Sequence, residues 1–195
     1  LFRDAVAKPS RLLHGGFICQ GFFIYPWFLP GVLLSLKATK EEIAAIFGIF
    51  LGEIREDYPI QLVSTNLESV LIPLKAAGAY QNCRLSLQNF RNTLQDIPNA
   101  IAIISSLPNG DHIFLVRCIM EDFIEDAATG SANGHLAGYL LSYGYFGSSP
   151  ISYTIHQGED MGRKSVLHIL ANRESDDWLI EGGGTCHIVA EGDWR

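Results

Sequence analysis

The chain reads as an α+β fold in which a curved β-sheet wraps around one central helix. Three observations lead there. Apolar runs of strand character outnumber helical patterns, the connections between them are short, and one helical stretch is rich in small residues. In that stretch Gly130, Gly134, Gly138 and Ser142 fall four apart and share a face. A face so bare lets a sheet approach closely, while Leu136, Tyr139, Leu140 and Tyr143 on the other face supply core. Each helical glycine costs about 1 kcal/mol relative to alanine, and close packing is the expected compensation.

Taken in order, residues 1–36 are extended and turn-like, with a strand near Phe17–Ile24. Thr39-Lys40-Glu41-Glu42 is a capping box, and Ile43, Ile46 and Phe47 follow at helical spacing, so a short helix ends near Gly48. Strands are expected at Ile60–Ser64 and Val70–Leu74, then helical turns over Ala76–Tyr80 and Leu85–Leu94. Ala100–Ser105 and Ile113–Met120 are β-rich runs, and Asn109-Gly110 between them favours a hairpin turn. The central helix covers about Ser131–Tyr143. Strands follow at Ile151–Gln157, Val166–Ala171, Trp178–Glu181 and His187–Ala190.

The segment before the central helix carries the chemistry. Glu125 and Asp126 lead into Thr129-Gly130-Ser131, a turn that opens the helix. Free backbone N–H groups and the helix dipole attract an anion there, and a carboxylate beside such a hole is suited to moving a proton. Asp126, Gly130 and Ser131 are therefore the candidate site residues. The plainer alternative is that Asp126 or Ser131 caps the helix. Arg117 either pairs with Glu125 or Asp126 or meets a substrate carboxylate. His135 reads as a core or interface histidine, His156 as a strand residue, and Arg163 as a loop or subunit contact.

Composition narrows the classes. A hydrophobic content of 48% against 18% charged residues supports a packed core rather than disorder. A net charge of −7, with Lys and Arg scattered, argues against nucleic-acid binding. Cys19, Cys83, Cys118 and Cys186 lie far apart without C-x-x-C spacing, which points to buried free thiols and a cytoplasmic location. No His and carboxylate spacing suggests a metal site, and no cofactor motif appears. The most apolar stretch, Gly21–Leu36, is broken by Pro26, Pro30 and Gly31, so no membrane association is expected. The first residue is Leu, which leaves open both a start inside a longer polypeptide and a processed terminus.

Several motifs, in order, carry a family resemblance. They are Gln61-Leu62-Val63-Ser64-Thr65-Asn66-Leu67 with Val70-Leu71-Ile72-Pro73-Leu74-Lys75, Leu115–Met120, and Glu125-Asp126-Ala127-Ala128-Thr129-Gly130-Ser131-Ala132-Asn133-Gly134. His156-Gln157-Gly158, Met161-Gly162-Arg163 and Gly182-Gly183-Gly184 with Ile188-Val189 complete the set. In these the chain resembles the PhzF-like phenazine-biosynthesis isomerases of the diaminopimelate-epimerase-like fold. The resemblance implies two similar halves, each a curved sheet around a helix, with the active site between them. It divides this chain into a remnant of the first half (1–36), a second-half domain (37–182) and a closing strand (183–195).

The same resemblance implies cofactor-independent proton transfer on a small carboxylate-bearing metabolite. Asp126 matches an active-site aspartate, and Gly130 and Ser131 match the substrate-gripping pair. The family's catalytic Glu, in an Asn-Leu-Ser-Glu-like stretch, and its Gly-His-Ala motif have no counterpart in these residues. Thr129 stands where two-thiol racemases of the same fold place their second cysteine, which argues against that chemistry, because a threonine hydroxyl is too weak an acid to replace a thiol. Asn66, Glu121 and Ala127 depart from the family pattern without removing the site. The rival expectation is a truncated, non-catalytic homologue serving as a binding or assembly module. A homodimer would cover its exposed cleft face.

Overall fold

The computed structural model describes the backbone of residues 11–13, 16–19, 22–29, 32–64, 67–93, 101–106, 112–120, 124–174 and 177–185. Side chains are described within 32–64, 67–93, 112–120, 124–173 and 177–185. The described strands are β1 (Arg11–Leu13), β2 (Gly16–Cys19), β3 (Phe22–Leu29), β4 (Val32–Leu34), β5 (Gln61–Ser64), β6 (Glu68–Leu74), β7 (Ile101–Ser106), β8 (Ile113–Ile119), β9 (Glu125–Asp126), β10 (Ile151–Gln157), β11 (Ser165–Glu174) and β12 (Asp177–Thr185). The helices are α1 (Lys40–Phe47), α2 (Ala77–Asn82), α3 (Leu87–Thr93) and α4 (Gly130–Ser142).

The strands join in one sheet of order β1-β2-β3-β12-β11-β10-β8-β7-β6-β5-β4, with β9 paired to β8. Neighbours are antiparallel except β6 with β7 and β8 with β10. Parallel neighbours need a crossover, and here the two crossovers lie on opposite faces. The first carries α2 and α3, whose buried Ala79, Tyr80 and Phe90 share a core with α1 and with Val70, Ile72 and Leu74 of β6. The second carries β9 and α4, whose Leu136, Tyr139 and Leu140 share a core with Leu71 of β6, Val116 of β8 and Ile155 of β10. Strand alternation sorts the residues: on β8, Phe114, Val116 and Cys118 face α4, while Leu115 and Ile119 face the outer helices.

Residues 132–140 of α4 are buried without a break. The helix touches β5, β6 and β7 on one side and β11 and β12 on the other, so the sheet curls around it as expected. Tyr139 and Tyr143 anchor its carboxyl end by donating to Pro59 O at 2.8 Å and Gln61 Oε1 at 2.6 Å. The capping box holds: Thr39 N–H donates to Glu42 Oε2 at 2.8 Å and Glu42 N–H to Thr39 Oγ1 at 3.2 Å.

Some expectations change in detail. The strand read near Phe17–Ile24 is two strands, β2 and β3, paired antiparallel with Cys19 opposite Phe22. Only Gln20 and Gly21 separate them in the sequence, a polar residue followed by glycine that interrupts the apolar run and marks a turn the single-strand reading passed over. The short strands β4 and β9 were not legible. The turn at Asn109-Gly110, the strand at His187–Ala190, residues Asn66 and Glu121, and the side chains of Cys19 and Cys186 lie outside the described residues. Cys83 and Cys118 are buried free thiols.

Candidate functional site

Glu125 and Asp126 are adjacent in sequence, and the pleat sends them to different sides of the sheet. On the β8–β9 ladder Ile119 lies opposite Glu125 and Cys118 opposite Asp126. Glu125 therefore shares the outer face with Arg117, and Asp126 shares the inner face with α4. This settles the partner of Arg117. Its Nη2 donates to Glu125 Oε2 at 2.8 Å and its Nε to the same carboxylate at 3.2 Å. Its Nη1 donates to the carbonyls of Tyr80 and Cys83. Burial is the largest influence and opposes the Arg117 charge, but hydrogen bonding to Glu125 together with the nearby charges of Glu125 and Asp160 outweighs it, and the guanidinium pKa is raised. Arg117 is thus a structural cation whose donors are engaged.

On the inner face Asp126 is half-buried, three residues before the N-cap Thr129. Thr129 Oγ1 donates to Asp126 Oδ2 at 2.7 Å. The capping reading does not describe this geometry: Asp126 takes a hydroxyl rather than a helix N–H, and Thr129 makes no side-chain cap bond. Gly130 and Ser131 are the first two residues of α4, both half-buried, so their N–H groups stand at the open end of the helix.

The residue that knits this corner together was missed in the sequence as a site residue. Gln157, fully buried at the end of β10, donates from Nε2 to Asp126 O at 2.8 Å and to Thr129 Oγ1 at 2.9 Å. Its Oε1 accepts from Thr129 N–H at 3.3 Å and from Asn133 Nδ2 at 2.9 Å. Asn133 Nδ2 also donates to Thr129 O at 2.7 Å. A signal existed: Ile151, Tyr153, Ile155 and Gln157 alternate on one face, so a polar residue closes an otherwise apolar row. Gly158 follows with φ of +76°, and a Cβ there would run into the Arg163 carbonyl oxygen and lie 3.0 Å from Ala127 O. Only glycine lets β10 turn away this close to the strand leading into α4.

The histidines are not at this corner as acid–base groups. His135 is buried in mid-helix with Nδ1 2.7 Å from Ser69 Oγ, and burial lowers its pKa to about 4. His156 is a strand residue 3.6 Å from Glu159 Oε1. Arg163 is exposed and its N–H closes a loop onto Gly158 O at 2.9 Å. Burial pushes the Cys118 thiol up to about 12, with Thr129 pulling the other way, which makes it a poor nucleophile. Among the described residues no group of three or more His, Cys, Asp or Glu is placed to hold a metal ion. No helix among them is long and apolar enough to cross a membrane.

Two clefts lie elsewhere. One of about 590 Å³, lined by Leu33, Arg55, Tyr58, Gln61 and Tyr143 among others, sits at the opposite end of α4. Arg55 is engaged by Asp57 and Tyr143 by Gln61. A second, of about 410 Å³, lies beside the Arg117–Glu125 pair on the outer face. Neither is lined by Asp126, Gly130 or Ser131, so the corner at the start of α4 is separate from both.

Comparison with known proteins assigns this arrangement to a family. Residues 32–192 match the phenazine biosynthesis-like protein family, PhzC-PhzF. The uncharacterized isomerase YfhB of Bacillus subtilis is 26% identical over 165 residues, covering 82% of this chain and 54% of the relative. The uncharacterized isomerase CA_C3446 of Clostridium acetobutylicum is 27% identical over 147 residues, covering 67% and 45%. Among solved structures, a Bacillus anthracis phenazine biosynthesis protein of the PhzF family superposes with a TM-score of 0.74 at 21% identity, covering 84% of this chain and 57% of that one. The predicted epimerase PA4716 of Pseudomonas aeruginosa gives 0.66 at 20% identity, covering 90% and 62%. The chain spans about half the length of the curated relatives it matches. A motif-bearing turn before a central helix, a sheet curled around that helix and a match over most of the sequence together make the chain a member of the PhzC-PhzF family.

Proposed function

We propose that this chain supplies one side of a PhzF-like isomerase site. Asp126 acts as an auxiliary acid/base group, and Gly130 with Ser131 binds the anionic end of a small carboxylate-bearing metabolite. The reaction is proton transfer without a cofactor, and the main base comes from the part of the relatives that this chain does not cover. The observation that carries the reading is the Asp126 carboxylate, held by Thr129 at the open amino end of a buried helix. A bound carboxylate placed on that helix end brings its neighbouring carbon within reach of Asp126.

The same proposal treats residues 1–36 as a remnant of the first half, 37–182 as the second-half domain and 183–195 as its closing strand. It includes a homodimer and a cytoplasmic location. The buried free thiols of Cys83 and Cys118 support the second.

The test is solvent deuterium incorporation into a panel of small carboxylic acids, followed by NMR. The chain is assayed alone and co-expressed with the portion of the B. subtilis relative that it does not match. The expected result is exchange at a carbon near the carboxylate in the combined sample, reduced at least tenfold by Asp126→Asn. Exchange unaffected by that substitution removes Asp126 from the reaction. No exchange in any combination, with every acid on the panel, favours a non-catalytic binding or assembly module.

A further inference from the structure

We propose that Gln157 is a positioning residue for Asp126: through Thr129 it dictates which carboxylate oxygen is occupied and which is left for proton exchange. The inference rests on the reading of Asp126 as an acid/base group, and it adds the device that orients it.

The argument begins with the orientation of a buried amide, which hydrogen-bond partners decide. One end of Gln157 meets the Asp126 carbonyl oxygen, which can only accept, so that end is Nε2. The other meets the Thr129 backbone N–H, which can only donate, so that end is Oε1. With both ends determined, the contact between Nε2 and Thr129 Oγ1 must be a donation into the hydroxyl. A hydroxyl has one proton, and Gln157 occupies the side from which it could only receive. Two groups remain for the Thr129 proton, the Cys118 thiol and Asp126 Oδ2, and the carboxylate oxygen at 2.7 Å is much the stronger acceptor, so the proton points to it. Among the described residues Oδ2 is the only Asp126 side-chain atom with a hydrogen bond. Oδ1 is left for exchange.

Sequence distance makes this a tertiary device. Gln157 lies 28 residues beyond Thr129, at the end of the strand after α4. The glycine after it allows the approach to residue 127. Asn133 fills the remaining acceptor position of Oε1, so all four hydrogen-bonding positions of the amide are used. A buried amide so fully engaged does not rotate freely, and neither does the hydroxyl it governs. Among the described residues the titratable group facing Asp126 is the Cys118 thiol across the ladder, while Glu125 is turned away toward Arg117.

The test reads the 13Cγ resonance of Asp126 at neutral pH in the full chain labelled at aspartate, with Asp126→Asn assigning the signal. Thr129→Val removes the hydroxyl with little change of shape and is expected to move that resonance, whereas Thr129→Ser keeps the hydroxyl and is expected to leave it in place. Gln157→Leu is expected to move it in the same direction as Thr129→Val, and to add nothing when combined with it. A purely structural Gln157 gives the opposite pattern, with shifts that add in the double variant, and that overturns the proposal. If Gln157→Leu fails to fold, the Val and Ser variants at position 129 still decide, because equal resonances for them exclude the relay. The measurement needs no turnover, so failure of the isomerase reading in the deuterium assay leaves this result separately readable.

Discussion

Gly138 of α4 packs directly against the indole of Trp178 in β12: a Cβ built on Gly138 would run into ring carbons Cζ3 and Cε3 and lie 2.7 Å from Cδ2. This contact seats the small face of the helix against the far arm of the curled sheet. Gly134, one turn earlier, has nothing within 4 Å of its built Cβ. Gly138→Ala is therefore expected to destabilise the chain by about 1–3 kcal/mol through overpacking, larger than the helix-propensity gain. Gly134→Ala is expected to stabilise it by about 0.5–1 kcal/mol. Urea unfolding of the two variants checks the contrast, and equal effects would show that the indole is not the constraint.

The Arg117–Glu125 pair is more than four-fifths shielded on both sides, with side-chain exposures of 13% and 16%. Removing one member leaves the other charge buried, at an expected cost of about 3–5 kcal/mol for Arg117→Met or Glu125→Leu. The double variant should recover a substantial part. A double-mutant cycle measured by denaturant unfolding is expected to give a coupling above about 1 kcal/mol, and simple additivity contradicts the assignment.

Acid sensitivity is expected from His135. Burial lowers its folded pKa to about 4, below the ordinary 6.5, so between these values the unfolded chain binds more protons than the folded one. Its contribution is complete above pH 6.5 and is lost as the pH falls toward 4, on the order of 3 kcal/mol across the window. Stability curves for the parent chain and His135→Gln should converge over that interval. Parallel curves would place the acid sensitivity in other groups.

Gly158→Ala combines a left-handed backbone at φ +76° with a Cβ directed at the Arg163 carbonyl oxygen. The conformational part alone costs about 1–2 kcal/mol, and the displacement of Arg163 or Ala127 adds to it. A drop in unfolding free energy above about 2 kcal/mol is expected. An unchanged value would mean the turn has another available conformation.

Much of the architecture was legible because it depends on local patterns. The capping box at Thr39 and Glu42, the alternation along Ile151–Gln157 and the small-residue face of α4 each write their period into neighbouring residues. The segments that were not legible lack such a period. β4 has three residues and β9 two, too short for alternation to be read.

By itself the sequence determined the α+β class, the central helix, the carboxylate beside the helix-opening turn and the motif shared with the family, because all four are properties of residues close in the chain. The tertiary structure decided which acid serves which face. Glu125 goes outward to Arg117 and Asp126 inward to Thr129, since side-chain direction depends on pairing register with β8. It also decided that Gln157 governs the corner and that Gly138, not Gly134, meets an indole. These contacts join residues 28 and 40 positions apart in the chain, and no local pattern encodes where a closing sheet brings its strands.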